Sequence, residues 1–232
     1  MIKVFFLPCA GSSSLMYAKI KKYSDSDIKM IPLELSGRGS RFDEPLYNNI
    51  EEAVNDVYSM ICDNIENSDY AIFGYSLGSL LSYEACCLMK KTYKKLPSHL
   101  FMASMGAPDI SYSFKKFGSN VDDENLLNYV IGNNGVSPEL VKNNMFNKVF
   151  FPVIKSDFKM IFDYMPKNEI ALDIDITAIY GNKDIEVEKN IKGWGKYTTK
   201  ELKIYELDGD HFFINQQYEN VVQIIRDTLV HN

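Results

Sequence analysis

The sequence predicts one α/β domain with a mainly parallel sheet flanked by helices, and three observations support this prediction. The chain has 232 residues, a length that one hydrophobic core can serve. Hydrophobic residues make up 46% of the chain and charged residues 24%, which excludes a disordered or collagen-like protein. Short apolar runs alternate with amphipathic helical patterns, as they do where helices cover a parallel sheet.

The strand predictions rest on short apolar runs that end at turn-forming residues. Residues 3–7 end at Pro8 and a Gly/Ser loop, and residues 28–33 lead into a Ser-Gly-Arg-Gly-Ser loop at 36–40. Residues 70–73 run directly into a Gly-Tyr-Ser-Leu-Gly sequence. Three later runs are also predicted as strands: 100–104, 176–180 and 202–207.

The helix predictions rest on apolar residues that recur three or four positions apart. One such stripe covers residues 50–65. A second extends from position 77 through Met89 and ends at the lysines of 90–95. Lysines fit this position because a helix C-terminus favours cations. A third, from Asn215 to Leu229, closes the chain.

Between about residues 110 and 165 the alternation of strands and helices stops. Helical patterns cover 126–131 and 145–161, a Gly-Asn-Asn-Gly break lies at 132–135, and no strong strand pattern occurs. An insertion of this length is typical of a segment that covers a pocket. We therefore expect a helical lid insertion within one domain that spans residues 1–232.

Charge and cysteine content narrow the function classes. The formal charge of −6 disfavours nonspecific nucleic-acid binding, and no apolar run approaches the ~20 residues that span a bilayer. The four cysteines form no Cys-x-x-Cys pair, so we expect free thiols in the cytoplasm, with no metal and no cofactor. The apolar residues 4–7 leave a short signal peptide as the alternative, although Pro8 interrupts it.

The Gly-Tyr-Ser-Leu-Gly run at 74–78 matches the Gly-x-Ser-x-Gly pattern between a predicted strand and a predicted helix. A sharp strand-to-helix turn needs glycines where a Cβ would collide, and it exposes the serine beside a helix N-terminus. We expect Ser76 to be a nucleophile, the alternative being a simple helix cap. A serine hydroxyl also needs a neighbouring base.

Three histidines are candidates for that base. His231 lies next to the C-terminus, and His99 begins a strand, where we expect a surface or edge position. His211 follows the last predicted strand, at the carboxyl edge of the sheet, where open α/β sheets bind ligands. We therefore expect His211 to be the base, the alternative being a solvated loop histidine.

An acidic side chain must orient that imidazole. Asp184 follows the strand at 176–180, and the order Ser76, Asp184, His211 is that of α/β-hydrolases. Asp109 follows the strand at 100–104 and remains a rival. Asp208 and Asp210 are weaker candidates, since they lie close to His211 in sequence.

Two backbone amides should stabilise the oxyanion. One is the N–H of Leu77, directly after the nucleophile. The other should come from the Pro-Cys-Ala-Gly loop at 8–11, where we propose Ala10 and keep its neighbour Cys9 as the alternative. Cys9 as a nucleophile in its own right lacks an obvious base.

These motifs together resemble the type II thioesterases, free-standing α/β-hydrolases that accompany nonribosomal peptide and polyketide synthases. The Leu-Pro-Cys-Ala-Gly-Ser loop at 7–12 stands where the family has a Phe-Pro-His-Ala-Gly-Gly-like loop, and Tyr75 stands where it usually has a histidine. Further similar stretches are Ser-Gly-Arg-Gly at 36–39, Arg-Phe at 41–42, Glu-Pro at 44–45, Lys-Ser-Asp-Phe at 155–158, Asp-Tyr at 163–164 and Gly-Asp-His-Phe-Phe at 209–213.

The resemblance implies a serine thioesterase that hydrolyses acyl thioesters on the phosphopantetheine arms of acyl or peptidyl carrier proteins. It also favours Asp184 over Asp109, and it implies a housekeeping role that clears stalled acyl groups. Because carrier proteins are commonly acidic, contact would need a local basic surface, with Arg38 and Arg41 or Lys115 and Lys116 as candidates. No membrane or nucleic-acid partner is expected, and a monomer is the default.

Other functions remain open from the sequence. A carboxylesterase or lipase acting on oxygen esters, and an acyltransferase, would use the same residues. A catalytically inactive hydrolase fold that serves as a binding module is a third alternative, against which the intact serine, histidine and aspartate argue.

Overall fold

A computed structural model describes residues 1–65, 68–109, 122–166 and 170–230. Within these ranges the sheet has six strands, in the order β2-β1-β3-β4-β5-β6, and each neighbouring pair is parallel. This arrangement confirms the predicted fold class. The strands are β1 (Ile2–Leu7), β2 (Ile28–Pro32), β3 (Tyr70–Tyr75), β4 (His99–Ala103), β5 (Asp175–Gly181) and β6 (Leu202–Leu207).

Helices cover both faces of the sheet. They are α1 (Ala18–Lys21), α2 (Ile50–Ile65), α3 (Leu77–Lys91), α4 (Asp123–Gly132), α5 (Pro138–Val141), α6 (Phe151–Asp163), α7 (Ile185–Asn190) and α8 (Ile214–Leu229). Alternate side chains of β1 enter two separate cores, because successive residues of a strand point to opposite faces. Phe5 and Leu7 pack with α2, α3 and the α4–α6 region, whereas Val4 and Phe6 pack with α1 and α8.

The six strand predictions agree with the structure to within two residues at each end, as do the patterns that predicted α2, α3 and α8. The short helices α1, α5 and α7 were not predicted from the sequence. Helices of four to six residues are too short to show a helical periodicity.

Between β4 and β5, residues 122–166 contain helices and no strand. The pattern at 126–131 lies inside α4, and the pattern at 145–161 divides into a π-helical turn (Phe146–Phe150) and α6. Pro152 lies in the first turn of α6, where a proline needs no helical N–H acceptor. Residues 110–121, which include Lys115 and Lys116, lie outside the described residues.

His99 was expected at the surface or at an edge, and a position at the surface or on an edge strand was wrong. It opens β4, which lies between β3 and β5 in the sheet, and its exposed fraction is only 7%. Its Nε2 lies 2.8 Å from Thr177 Oγ1 on β5, so the imidazole is satisfied inside the protein. His231 lies outside the described residues.

No helix in the described ranges combines the length and the apolar character needed to cross a membrane.

Candidate active site

Ser76 occupies a strained turn between β3 and α3. Its φ of 52° and ψ of −115° lie outside the regions that residues with a side chain normally adopt. The turn is held by the Ser76 N–H, which donates to the carbonyl of Ala103 at 2.8 Å. Backbone strain of this kind costs of order 1–3 kcal/mol and persists only where the surrounding structure enforces it.

The two flanking glycines are required by close packing of the backbone. A Cβ at Gly74 would lie 2.4 Å from the carbonyl oxygen of Gly78, across the turn. A Cβ at Gly78 would lie 2.3 Å from the carbonyl oxygen of Leu7, at the end of β1. The second contact brings the loop after β1 directly against the start of α3, next to Ser76.

The structure brings Ser76, His211 and Asp184 into one hydrogen-bonded chain. His211 Nε2 lies 3.2 Å from Ser76 Oγ, and His211 Nδ1 lies 2.7 Å from Asp184 Oδ2. The imidazole is 27% exposed and the carboxylate 10%, so the base is reachable while the carboxylate is largely shielded. Asp109, the rival acid, instead forms an ion pair with Lys196 at 2.9 Å.

Two buried hydroxyls hold the backbone of His211. Tyr75 Oη donates to the His211 carbonyl at 2.6 Å, and Ser104 Oγ donates to the same oxygen at 2.9 Å. Burial raises the pKa of Tyr75 well above its ordinary value, so its hydroxyl remains a donor. Sequence reasoning did not identify either contact, because each joins positions more than a hundred residues apart.

The loop after β1 forms a tight turn over residues 9–12. Ser12 N–H donates to the Cys9 carbonyl at 3.1 Å, and Gly11 has a φ of +75°, the value that the third position of a type II turn requires. Leu77 is the first residue of α3, so its N–H has no acceptor within the helix. Ala10 and His211 border the same cavity, so the loop after β1 lies beside the imidazole.

Cys9 does not have the properties of a nucleophile. Its side chain is 2% exposed, and its Sγ contacts Ser12 Oγ at 3.1 Å. Burial raises the pKa of the thiol to about 11, so the reactive thiolate is scarce at neutral pH.

Arg38 was a candidate for an exposed basic contact with a carrier protein, and this prediction was wrong. Its side chain is 5% exposed and forms a bidentate ion pair with Asp157, at 2.6 and 2.8 Å. Burial is the largest single effect and lowers the pKa of Arg38, but the hydrogen bond and the negative charge of Asp157, with smaller contributions from neighbouring groups, together outweigh it and raise the pKa of Arg38. Arg41 is 23% exposed and is paired with Glu44 and Asp56.

Two cavities meet at His211. The first, about 340 Å³ in volume, runs between the loop after β1 and the α4–α6 region and is lined mainly by apolar and aromatic side chains. These include Val130, Phe146, Ile154 and Phe158. The second, about 300 Å³, contains Ser76 and carries polar groups from the loops that follow β5 and β6.

This arrangement can perform nucleophilic acyl transfer. The Asp184 carboxylate orients the imidazole, the imidazole can take the Ser76 proton, and the N-terminus of α3 favours the negative charge that develops. The described residues contain no group of three or more His, Cys, Asp or Glu side chains that could hold a metal ion.

Comparisons with known proteins agree with this chemistry. The thioesterase domain family matches residues 2–229. The chain is 27% identical over 219 residues to the medium-chain S-acyl fatty acid synthase thioesterase of Rattus norvegicus, which covers 92% of this chain and 82% of that protein. It is also 27% identical to linear gramicidin dehydrogenase LgrE of Brevibacillus parabrevis, over 98% of this chain and 88% of that protein.

Among solved structures, ClbQ from the colibactin NRPS/PKS pathway superposes with a TM-score of 0.86 and 27% sequence identity. The match covers 98% of this chain and 96% of ClbQ. The dehydrogenase name belongs to the Brevibacillus relative, and this sequence contains no Gly-x-Gly-x-x-Gly run of the kind that binds dinucleotides.

Proposed function

The chain belongs to the thioesterase domain family, and from this premise we propose that it is a serine hydrolase that releases acyl groups from the phosphopantetheine arms of carrier proteins. The observation that carries the proposal is the hydrogen-bonded chain from Ser76 through His211 to Asp184, next to an apolar cavity. The relatives named for a fatty acid synthase and for an NRPS/PKS pathway support a synthase-linked role.

In the first half of the reaction, Ser76 Oγ attacks the thioester carbonyl while its proton moves to His211 Nε2. The carbonyl electrons form an oxyanion, which accepts hydrogen bonds from the Leu77 and Ala10 amides. Loss of one such donor typically costs about 2.7–4 kcal/mol of transition-state stabilisation. The intermediate collapses, the C–S bond breaks, and His211 gives its proton to the leaving thiolate.

In the second half, water attacks the acyl-serine ester. His211 takes a proton from the water, a second tetrahedral oxyanion forms at the same two amides, and its collapse breaks the bond to Ser76 Oγ. The proton returns to the serine and the acid leaves. Asp184 stabilises the imidazolium in both halves without taking the proton.

The shape of the site favours apolar acyl groups. The apolar cavity of about 340 Å³ adjoins His211 and is lined by side chains of α4, the π-helical turn and α6, so we propose that these elements form the lid of a domain spanning residues 1–232. An alkyl chain placed there gains roughly 0.8 kcal/mol for each buried methylene. The polar cavity that contains Ser76 is then the route for the pantetheine arm.

The proposed site draws all of its residues from one chain, so a monomer suffices for activity. Its carrier contact remains a prediction. Arg38 is excluded by burial, Arg41 is engaged by two carboxylates, and Lys115 and Lys116 lie outside the described residues.

The proposal is tested by comparing hydrolysis of three matched octanoyl substrates: carrier-bound thioester, free pantetheine thioester and ethyl ester. We expect kcat/KM to be highest for the carrier-bound thioester and lowest for the oxygen ester. Ser76→Ala should abolish turnover of all three while the circular dichroism spectrum stays unchanged.

A preference for the ethyl ester would favour a carboxylesterase instead. Equal values of kcat/KM for carrier-bound and free pantetheine thioesters would contradict the carrier protein as partner but not the thioesterase activity. A Ser76→Ala variant that retains substantial turnover would overturn the assignment of the nucleophile.

A further inference from the structure

The loop that carries the predicted oxyanion donor Ala10 is hydrogen-bonded to a buried ion pair formed by two residues outside the loop. Asp157 Oδ2, on α6, accepts the Gly11 N–H at 2.8 Å, and Arg38 Nη1 donates to the Ser12 carbonyl at 3.2 Å. The guanidinium and the carboxylate are joined by two hydrogen bonds, at 2.6 and 2.8 Å. With exposed fractions of 5% for Arg38 and 0% for Asp157, the ion pair itself is shielded from water.

These contacts determine the conformation of the turn. Type I and type II turns differ in the orientation of their central peptide, and here that peptide carries the Gly11 N–H. By accepting this N–H, Asp157 stabilises the type II arrangement. Gly11 also rests directly on α6, since a Cβ at this position would lie 2.5 Å from Ile154 Cγ1.

The direction of the Ala10 N–H follows from the same turn. Its peptide also contains the Cys9 carbonyl, which accepts the Ser12 N–H across the turn. In a trans peptide the C–O and N–H bonds point in opposite directions, and no cis peptide occurs among the described residues. The Ala10 N–H is therefore directed away from the interior of the turn, where it is available to a substrate.

Stability alone does not account for this ion pair. Replacing a buried ion pair with apolar side chains of similar volume is often neutral or stabilising, because the charges lose their hydration. What an apolar pair cannot supply here is an acceptor for Gly11 and a donor for Ser12. Both functions act on the turn that presents Ala10.

We propose that Arg38 and Asp157 are positioning residues that fix the oxyanion loop against α6 and so hold the Ala10 amide in place for the transition state. This inference rests on the proposed thioesterase function. It also implies that α6 is the fixed part of the lid, because any outward movement of α6 would break the contact with Gly11.

The test compares two isosteric substitutions that each remove one carboxylate from an arginine. Asp157→Asn disturbs the pair that holds the loop, whereas Asp56→Asn disturbs the Arg41 pair, which has no hydrogen bond to residues 9–12 among the described contacts. With octanoyl-N-acetylcysteamine as substrate, and active sites counted by fluorophosphonate titration, we expect Asp157→Asn to lower kcat per site about 10- to 100-fold. KM should change less than twofold, and Asp56→Asn should leave both parameters within twofold of wild type.

A second variant separates positioning from stability. Arg38→Met/Asp157→Leu removes both buried charges, so we expect a melting temperature close to that of the wild type together with the same fall in kcat. The inhibition constant of an octyl trifluoromethyl ketone, which forms a tetrahedral serine adduct, should rise in parallel with the fall in kcat.

If both variants keep kcat per titrated site within twofold of wild type, the positioning role is wrong. A reduced yield of folded protein with unchanged kcat per site would also overturn it, since that pattern indicates a structural role only. These outcomes differ from failure of the proposed function, in which the wild-type protein itself would not hydrolyse the thioester.

Discussion

Two histidines lie at opposite edges of the same sheet and meet different surroundings. His211 follows β6 at the carboxyl edge, where its ring is 27% exposed and lies between a serine hydroxyl and a carboxylate. His99 begins β4 at the amino edge, where it is 7% exposed and contacts only one side-chain hydroxyl, that of Thr177, in the described structure. The residue type is the same, so the partners and the burial determine what each imidazole can do.

The size of a cavity does not distinguish the two edges. A hollow of about 350 Å³ lies beside His99, lined in part by Asp69, Asp175 and Glu201, and it is as large as either cavity at His211. The carboxyl edge differs in chemistry, because it has a strained serine at the N-terminus of a 15-residue helix and an orienting carboxylate. At the amino edge, the hydroxyl beside the histidine is that of Thr177, which lies inside β5 and not at a helix N-terminus.

The largest expected effect tests whether the partner of His211 makes the difference. Asp184→Asn should reduce kcat by about 10³- to 10⁴-fold, because the amide favours the wrong imidazole tautomer and cannot stabilise the cation. Asp109→Asn is the control, since Asp109 pairs with Lys196 and not with His211. Steady-state kinetics on one thioester measures both variants.

The opposite ranking, with Asp109→Asn inactive and Asp184→Asn near wild type, would show that the earlier strand supplies the acid. Equal and small effects would mean that His211 works without an orienting carboxylate.

Sequence reasoning predicted the carboxyl edge better than the amino edge or the contacts made by α6. The Gly-x-Ser-x-Gly run determines the turn at Ser76 through local sterics, and the end of a strand places His211 at the edge where parallel sheets bind ligands. Arg38 was misassigned because its partner, Asp157, lies 119 residues away, and a solvated arginine and a buried one look alike in sequence. His99 was misassigned for a similar reason, since the first residue of a strand is buried only if neighbouring strands flank it.

A second prediction concerns the apolar cavity, which gives the carboxyl edge its proposed preference for acyl groups. Val130→Phe, on α4, should partly fill the cavity and lower the ratio of kcat/KM for octanoyl over acetyl thioesters by at least about tenfold, since each methylene excluded from a hydrophobic pocket typically costs ~1–3 kcal/mol. The measurement is a chain-length series of pantetheine thioesters.

Val141→Phe provides the matched control, because it makes the same change at a partly buried position on α5 outside the lining of that cavity. Its chain-length profile should match that of the wild type. An unchanged profile in Val130→Phe as well would show that the acyl chain lies elsewhere.

The smallest expected effect concerns the amino edge and leaves activity unchanged. Burial lowers the pKa of His99 from 6.5 to about 4, so the unfolded chain binds a proton between these values that the folded protein does not. The contribution of His99 to the free energy of unfolding is complete above pH 6.5 and decreases as the pH falls toward 4. Between pH 7 and pH 5 it decreases by about 2 kcal/mol. His99→Gln keeps a hydrogen-bonding group near Thr177 but cannot titrate. The free energy of unfolding, measured with urea at pH 7 and at pH 5, should therefore fall less in the variant than in the wild type, and the difference should equal this amount. Because His99 lies at the edge opposite Ser76, kcat of the variant at pH 7 should stay within twofold of wild type. A drop in kcat without a change in the pH dependence of unfolding would contradict this expectation and show that the two edges are coupled.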